Sequence, residues 1–368
     1  MVKKATTDLP LHGGRCPSWL FKRMKELTGA ISEVIIHEYS QDELLKRLSN
    51  PYFFQSLGCI VGFDWHSSGL TTTLTGALKE SMSPEEHGVM IAGGKGKTSR
   101  KAPQEILKSD LCKSSDLEKF VDYSKLSAKV DSNCVQDEYS LYHHVFLFTE
   151  NGKWSVIQQG MNPKNKYARR YHWVSENVEG FIEEPQDAIC CDNMEEEVLN
   201  LTSKTSEETR KISLDLVKDN PQHLKKYLLP KNQSSLIDFS KGNNFKMPRH
   251  HDVRNMDINS RILDNLDKAY QKQPENYEKL VQIKGVGAKS LRALALISQL
   301  VYGSEASWKD PATHSYAHGG KDGAPYPVDR DNMERSTKFL KGALEQAEIN
   351  DKSKLKSLKK LKDISVSP

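Results

Sequence analysis

YHHVFLFTENGKWSVIQQ, residues 142–159, decides the fold of this chain. Two runs rich in aromatic and β-branched residues flank Asn151-Gly152, and an Asn-Gly pair favours the positive φ angles of a tight β-turn. The pattern therefore predicts an antiparallel hairpin with one strand on each side of this pair. Large aromatic side chains such as Phe146 and Trp154 fit the pleated face of such a hairpin.

Signals for further elements lie N-terminal to the hairpin. Ser40-Gln41-Asp42-Glu43 has the form of a capping box, and the helix that follows should end at Asn50-Pro51. Another helix is predicted over Thr71–Met82, and the short apolar runs Cys59–Phe63 and Val89–Ala92 are predicted as buried strands. The fold class we expect is α+β: a mixed N-terminal α/β domain whose sheet contains the hairpin, followed by an all-α domain.

The C-terminal half of the chain shows helical periodicity interrupted by stretches rich in Gly and Pro. We predict helices over 194–229, about 259–303 and 331–347. Lysines interleaved with leucines near the C-terminus are typical of a solvated helix face. The predicted division is a mixed α/β domain at 1–190, a helical connector and linker at 191–256, an all-α domain at 257–347 and a lysine-rich tail at 348–368.

Composition limits the class of protein. Of the 368 residues, 37% are hydrophobic and 28% are charged, which is typical of a soluble globular chain. No apolar run approaches the length of a membrane span, and the N-terminus lacks the apolar core of a signal peptide. The six cysteines include no C-x-x-C pair, so they predict neither a zinc ribbon nor a disulfide framework. We therefore expect a cytoplasmic protein that has no membrane partner.

The most specific motif is LVQIKGVGAKSL at residues 280–291. Two helices joined by Gly-Val-Gly would leave the first amides of the second helix unpaired, beside its positive dipole end. Such a helix terminus binds phosphate, and the flanking lysines add positive charge. The motif resembles the helix-hairpin-helix modules that bind DNA; the alternative is a plain glycine turn between packed helices. The DNA-binding residues predicted here are Lys284, Gly285, Gly287, Lys289 and Ser290.

Other basic residues are candidate phosphate contacts. Residues 93–101 carry four positive charges and no acid, and their glycines would let the segment order on a phosphate strand. A solvated surface loop is the alternative. Arginine guanidinium groups can also donate paired hydrogen bonds to phosphate oxygens. These patterns add Lys95, Lys97, Arg100, Arg169 and Arg170 to the predicted DNA contacts.

Ionisable residues near the predicted strands suggest chemistry on DNA. Asp, His and Glu side chains in one cleft bind a divalent metal, which can activate water to cleave a phosphodiester. We therefore predict a metal-dependent nuclease of DNA repair or processing. Its cofactor would be Mg²⁺ or Mn²⁺, with Zn²⁺ as a further candidate. The alternative is that each residue is separately structural. The catalytic candidates are Asp64, His66, His143, His144 and Arg15, and the metal-ligand candidates are Asp64, His66, Asp137 and His172.

Two other functions remain open. A non-enzymatic DNA-binding protein that assists repair needs only the positively charged segments and no catalytic residues. A helix-hairpin-helix DNA glycosylase with lyase activity would use Lys289 as an amine nucleophile and Asp310 as its acidic partner. The sequence departs from that class, because Asp310 lies a few residues beyond the expected position and stands in Trp308-Lys309-Asp310-Pro311.

The whole chain also resembles one family. The resemblance is carried by HGGRCP at 12–17, GFDWHSSG at 62–69, QQGMN at 158–162, KGVG at 284–287, ALAL at 293–296 and HGGKDG at 318–323. In this combination the chain looks like a member of the domain-of-unknown-function family 763, found mainly in archaea and thermophilic bacteria. The resemblance implies no activity and no catalytic residue. It does imply a prokaryotic cytoplasm, and a single working unit formed by the N-terminal motifs and the Gly-Val-Gly segment.

Overall fold

The computed structural model describes residues 16–63, 68–191, 193–220, 223–224, 260–314 and 330–365. Much of the predicted connector and linker at 191–256, including its boundary with the predicted all-α domain at 257, lies outside these ranges. The predicted α+β class is confirmed, because the described residues form an antiparallel five-stranded sheet together with helices, and the C-terminal region is helical.

The predicted hairpin lies at the centre of the sheet. Its strands are β3 (Ser140–Thr149) and β4 (Trp154–Asn162), which pair antiparallel. Gly152 has a φ of 82° in the turn, a conformation that suits glycine. The rings of Phe146 and Trp154 stack with their centroids 5.7 Å apart. The local pattern therefore predicted both the turn and its aromatic face.

Three further strands complete the sheet, in the order β1-β3-β4-β5-β6. The strand predicted at Val89–Ala92 is confirmed as β1, which continues as far as Lys95. The added strands are β1 (Val89–Lys95), β5 (Tyr167–Val174) and β6 (Ala188–Cys190), and a separate small sheet pairs β2 (Val135–Gln136) with β7 (Leu199–Asn200).

The N-terminal helices begin at polar caps and prolines. The Glu43 amide donates to Ser40 Oγ at 3.0 Å, so the capping box is confirmed. The strand predicted at Cys59–Phe63 is wrong, because Asn50 caps a new helix that extends to Ile60. A short apolar run does not distinguish a buried strand from a buried helix. The helices are α1 (Ser18–Glu38), α2 (Gln41–Ser49), α3 (Pro51–Ile60), α4 (Gly69–Ser81), α5 (Pro84–His87), α6 (Ala102–Leu107) and α7 (Ser114–Lys129).

The C-terminal helices follow the predicted periodicity in part. The helix predicted over 194–229 is wrong in extent, since the helix found there begins at Glu207 and ends at Lys218. The helical unit predicted over about 259–303, with one break at Gly-Val-Gly, consists of three helices, because a further break lies at 273–276. The elements are α8 (Glu207–Lys218), α9 (Ser260–Lys272), α10 (Tyr277–Gln282), α11 (Ala288–Tyr302), α12 (Arg330–Gln346) and α13 (Asp351–Ser365).

Alternating side chains along the strands divide the core into two clusters. Val145 and Leu147 of β3 pack on the face that α1–α4, α12 and α13 cover, which we call the α1 side. Phe146 and Phe148 pack on the other face, which α6–α11 cover, and which we call the α7 side. Successive residues of a strand point to opposite faces, so β1, β3 and β4 each contribute to both clusters.

The C-terminal helices share the α7-side core with the sheet. Leu291 and Leu294 of α11 belong to the same apolar cluster as Phe146 of β3. The segment after α11 then returns to the sheet region, where His314 forms a bridge with Cys190 of β6. The segment at 280–291 is therefore attached directly to the N-terminal sheet.

Candidate functional site

The Gly-Val-Gly turn (Lys284–Lys289) joins α10 to α11 and exposes a lysine at each end. Gly285 has a φ of 103°, and a Cβ there would lie 2.4 Å from Asn265 Oδ1, so the position requires glycine. Val286 is buried in the α7-side core and fixes the turn. Lys284 and Lys289 are both exposed. The turn therefore presents two ammonium groups on a rigid backbone.

The C-terminal end of α10 is capped by a lysine from α7. Lys129 Nζ donates to the carbonyl oxygens of residues 281, 282 and 283, at 2.9, 2.8 and 3.0 Å. Burial lowers the pKa of Lys129. The last carbonyls of a helix have no partner within it, so this contact satisfies them and fixes the start of the turn.

The N-terminal end of α11 is held by the segment that follows α7. This segment contains a π-helical turn, Val130–Cys134. The Ala288 amide donates to Asn133 Oδ1 at 3.2 Å, and Gln136 Nε2 donates to the Ala288 carbonyl at 2.9 Å. The expectation that every first-turn amide of α11 is unpaired is therefore wrong for Ala288. Lys289 and Ser290 keep amides with no acceptor among the described residues.

Buried polar groups gather at one end of the sheet on its α1 side. Gln159 of β4 accepts from the Thr71 hydroxyl, and its amide donates to the Ser68 carbonyl. Arg170 donates to Thr71 at 3.2 Å and to Gln55 at 3.0 Å. These contacts join α3, α4, β4 and β5, so this part of the core is polar although solvent does not reach it.

A second buried network occupies the same end of the sheet on the α7 side. Asp131 Oδ2 accepts from Trp173 Nε1 at 2.9 Å and from Gln158 Nε2, and Asp131 Oδ1 accepts from Gln186 Nε2 at 2.7 Å. Burial raises the pKa of Asp131 to about 7, although the three N–H donors favour the carboxylate. The Gln158 carbonyl accepts from His144 Nδ1, so His144 Nε2 accepts from the Ser124 hydroxyl.

The two predicted arginine contacts lie inside the protein. The side chain of Arg169 is fully buried and pairs with Asp137 at 3.0 Å and with Asp310 at 2.6 Å. Arg170 is also fully buried, and its guanidinium lies over the Phe54 ring at 4.6 Å. The prediction that Arg169 and Arg170 clamp DNA on the surface is therefore wrong, because both guanidinium groups are engaged by protein groups in the core.

The predicted catalytic and metal-binding histidines do not converge. His143 contacts Thr75 on the α1 side, whereas its neighbour His144 contacts Ser124 on the α7 side. His172 shares the α1 side with Arg170, whereas Asp137 pairs with Arg169 on the α7 side. Burial lowers the pKa of His143 to about 3 and that of His144 to about 4, and it also lowers the pKa of His172 well below its usual value. All three are therefore neutral near pH 7.

The sheet places His143 and His172 on its α1 side and His144 and Asp137 on its α7 side, so these four side chains do not share one metal cleft. Among the described residues, no group of three His, Cys, Asp or Glu side chains is placed to hold a metal ion. Arg15, Asp64 and His66 lie outside the described residues. The nuclease hypothesis now depends on these three, and it stays a prediction.

The side chain of Asp310, the acidic partner in the glycosylase hypothesis, is buried and already paired. Asp310 accepts from Arg169 and from the Glu195 amide at 2.7 Å, and its side chain is almost fully buried. Lys289 is exposed. The carboxylate is therefore committed to an internal ion pair, so it is not poised beside an amine nucleophile.

The basic segment after β1 is exposed, as expected. Lys95, Lys97 and Arg100 lie on the surface, and residues Gly96–Lys101 form a short 3₁₀ helix. Lys95 pairs in register with His143, so this segment leaves the sheet at its polar end. These residues remain candidate DNA contacts.

A cavity of about 830 Å³ lies beside the first turn of α11. Carboxylates dominate one wall, and Lys164 donates to both carboxylate oxygens of Glu138 at 2.9 Å. The lining includes Gln136, Asp137, Glu138, Tyr139, Lys164, Glu195, Glu196, Glu197, Ala288 and Arg292. A phosphate strand would be repelled by this wall, so the cavity limits the side from which DNA can reach the turn.

No sequence pattern identifies Lys129, Asn133 or Asp131 as part of the site. Lys129 lies 152–154 residues from the carbonyls that it caps, and Asn133 lies 155 residues from Ala288. A single lysine, amide or acid in a polar segment has no distinguishing spacing. Only the packing of α7 against α10 reveals these contacts.

The structure gives no membrane-spanning candidate among the helices it describes, since none combines enough length with enough apolar character. A comparison with the curated proteins found no match, and a comparison with the solved structures also found none. A family model described as "Protein of unknown function (DUF763)" matches residues 5–328. Because that match covers most of the chain, this protein belongs to the DUF763 family.

Proposed function

We propose that this protein binds DNA through its phosphate backbone, and that α10, the Gly-Val-Gly turn and α11 form a helix-hairpin-helix. The observation that carries the proposal is the turn itself. Lys284 and Lys289 are exposed on either side of a backbone that Gly285 and Val286 hold in place. The amides of Lys289 and Ser290 stand at the positive end of the α11 dipole.

Binding of this kind is independent of sequence. Ammonium groups and backbone amides contact phosphate oxygens, which are the same at every base pair. We propose a role as a non-enzymatic accessory protein in DNA repair or processing, because His143 and His144, the adjacent catalytic candidates, are buried, neutral and on opposite faces of the sheet. We also propose a cytoplasmic location, for which the six free thiols are the support.

The salt dependence of binding tests the proposal. Fluorescence anisotropy with labelled duplex and single-stranded DNA of mixed sequence would be measured over a range of KCl concentrations. Neutralising two phosphate contacts in Lys284→Gln/Lys289→Gln should reduce the slope of log K against log[KCl] by about 1.8 on duplex DNA. The affinity should fall equally for unrelated sequences.

Lys22→Gln/Lys352→Gln is the matched control, because both lysines are exposed on helices of the α1 side. This control should leave the slope almost unchanged. Equal slopes for the wild type and the turn variant, or no DNA binding by the wild type near physiological salt, would refute the assignment.

A further inference from the structure

We infer that α9 carries a second phosphate-binding surface beside the Gly-Val-Gly turn, formed by Arg261, Lys268 and Lys272. The inference rests on the proposed function and extends it, since it states the path that the DNA backbone takes across the protein. The bound strand would run along α9 as well as over the turn.

The three cations lie on one face of α9. Arg261, Lys268 and Lys272 are separated by seven and four residues, spacings that return to the same side of an α-helix. All three are exposed, whereas Ile262 and Leu266 face the core. Since each residue adds about 1.5 Å, the stripe is about 16 Å long, which is enough to follow several phosphates of one strand.

The stripe borders the turn. Asn265 falls on the same face, and its side-chain oxygen lies against the Cα of Gly285. At the other end of the stripe, Lys272 contributes to the lowered pKa of Lys129, the residue that caps α10. The cations of α9 therefore lie on a surface that adjoins the turn.

Charge on the other flank of the turn favours the same path. The cavity beside Ala288 and Arg292 is walled by Glu138 and by residues 195–197, all glutamates. Phosphate is repelled there and attracted towards α9. None of Arg261, Lys268 and Lys272 makes an ion pair with a residue of the described ranges, although the exposed Asp264 borders the stripe. Their charges are thus available to a polyanion.

The test uses the same full-length protein and the same labelled duplex DNA. If all three side chains contact phosphates, Arg261→Gln/Lys268→Gln/Lys272→Gln should lower the slope of log K against log[KCl] by about 2.7. Circular dichroism checks that the variant is folded. Asp264→Asn serves as a second variant that adds no bulk, and it should raise the affinity at low salt because it removes an acid beside the stripe.

The outcomes separate the two proposals. If the wild type binds and the Lys284→Gln/Lys289→Gln variant loses slope, but the α9 variants match the wild type, then the α9 path is wrong and the proposed function stands. If the wild type does not bind DNA, both fail. A loss of slope in the α9 triple variant, with tighter binding by Asp264→Asn, supports the path along α9.

Discussion

Replacing Asp131 with Asn should remove a pH dependence from the stability of the fold. Asp131 is fully buried, and its two oxygens accept from Gln158, Trp173 and Gln186. Asn has the same shape. Its oxygen can accept the two hydrogen bonds of Oδ2, and the Gln186 amide can turn to accept from the new NH₂ group. The variant therefore keeps the packing and loses only the titrating group.

The magnitude follows from the raised pKa. Burial raises the pKa of Asp131 from an ordinary value of 3.8 to about 7 in the folded protein. Its contribution to stability is therefore complete below pH 3.8 and is lost as the pH rises through 7. Between pH 5 and 6 the unfolded chain has released this proton and the folded chain has largely kept it, and near pH 7 the folded chain is about half ionised. The free energy of unfolding therefore falls by up to about 1.4 kcal/mol per pH unit, or by about 2 kcal/mol from pH 5 to 7.

The assay is urea unfolding of the wild type and of Asp131→Asn at several values between pH 5 and 8. The difference between the two proteins isolates Asp131, because the buried histidines titrate in both and cancel. The variant should gain about 2 kcal/mol relative to the wild type between pH 5 and 7, and the difference should level off near pH 8. Asp122→Asn, at an exposed position on α7, is the control.

A flat difference for Asp131→Asn would refute the reasoning. It would mean that the three N–H donors stabilise the carboxylate enough to offset its burial, so that Asp131 is ionised in the folded protein over the whole range. In that case Asp131 would be a charged anchor of the α7-side network, and its removal should destabilise the protein equally at pH 5 and pH 8.

Four other substitutions probe the Gly-Val-Gly turn. Gly285→Ala should lower the free energy of unfolding by about 1–3 kcal/mol, because Gly285 has a positive φ and a new Cβ would meet Asn265. Gly287→Ala should lower it by less than about 1 kcal/mol in the same urea titration, because the nearest atom to its new Cβ is 3.9 Å away. Lys129→Met leaves three carbonyls without their donor, so it should cost about 3 kcal/mol and lower the hydrogen-exchange protection of α10; unchanged protection would contradict the capping role. Asn133→Asp adds a negative charge at the N-terminus of α11, so it should stabilise the fold by about 0.5 kcal/mol in urea and weaken DNA binding in the anisotropy assay; tighter binding would contradict the phosphate site.

Local signals predicted the parts of this fold that local interactions determine. The turn at Gly152 and the cap at Ser40 each depend on a few adjacent residues, and both were predictable. The strand predicted at Cys59–Phe63 was wrong because an apolar run fits a buried helix equally well, and the cap and proline at Asn50-Pro51 decide the outcome.

The candidate site was less predictable because its contacts are remote in sequence. Arg169 looked like a phosphate contact, but its carboxylate partners lie 32 and 141 residues away, and the sheet that carries it is covered on both faces. His143 and His144 looked like a catalytic pair. Adjacent strand residues point to opposite faces, so a sheet with two covered faces buries each one in a different place.

The α7–β2 segment connects the two parts of the molecule that the sequence presents separately. Within a few residues of one another, Lys129 caps α10, Asp131 accepts three hydrogen bonds inside the sheet's polar end, and Asn133 accepts from the first amide of α11. Because these three residues occupy alternate positions of one helical and π-helical run, the buried network and the two contacts to the Gly-Val-Gly turn share one stretch of backbone. The buried network thus helps to hold in place the turn that we propose as the DNA contact, which gives a physical reason for polar groups that solvent never reaches.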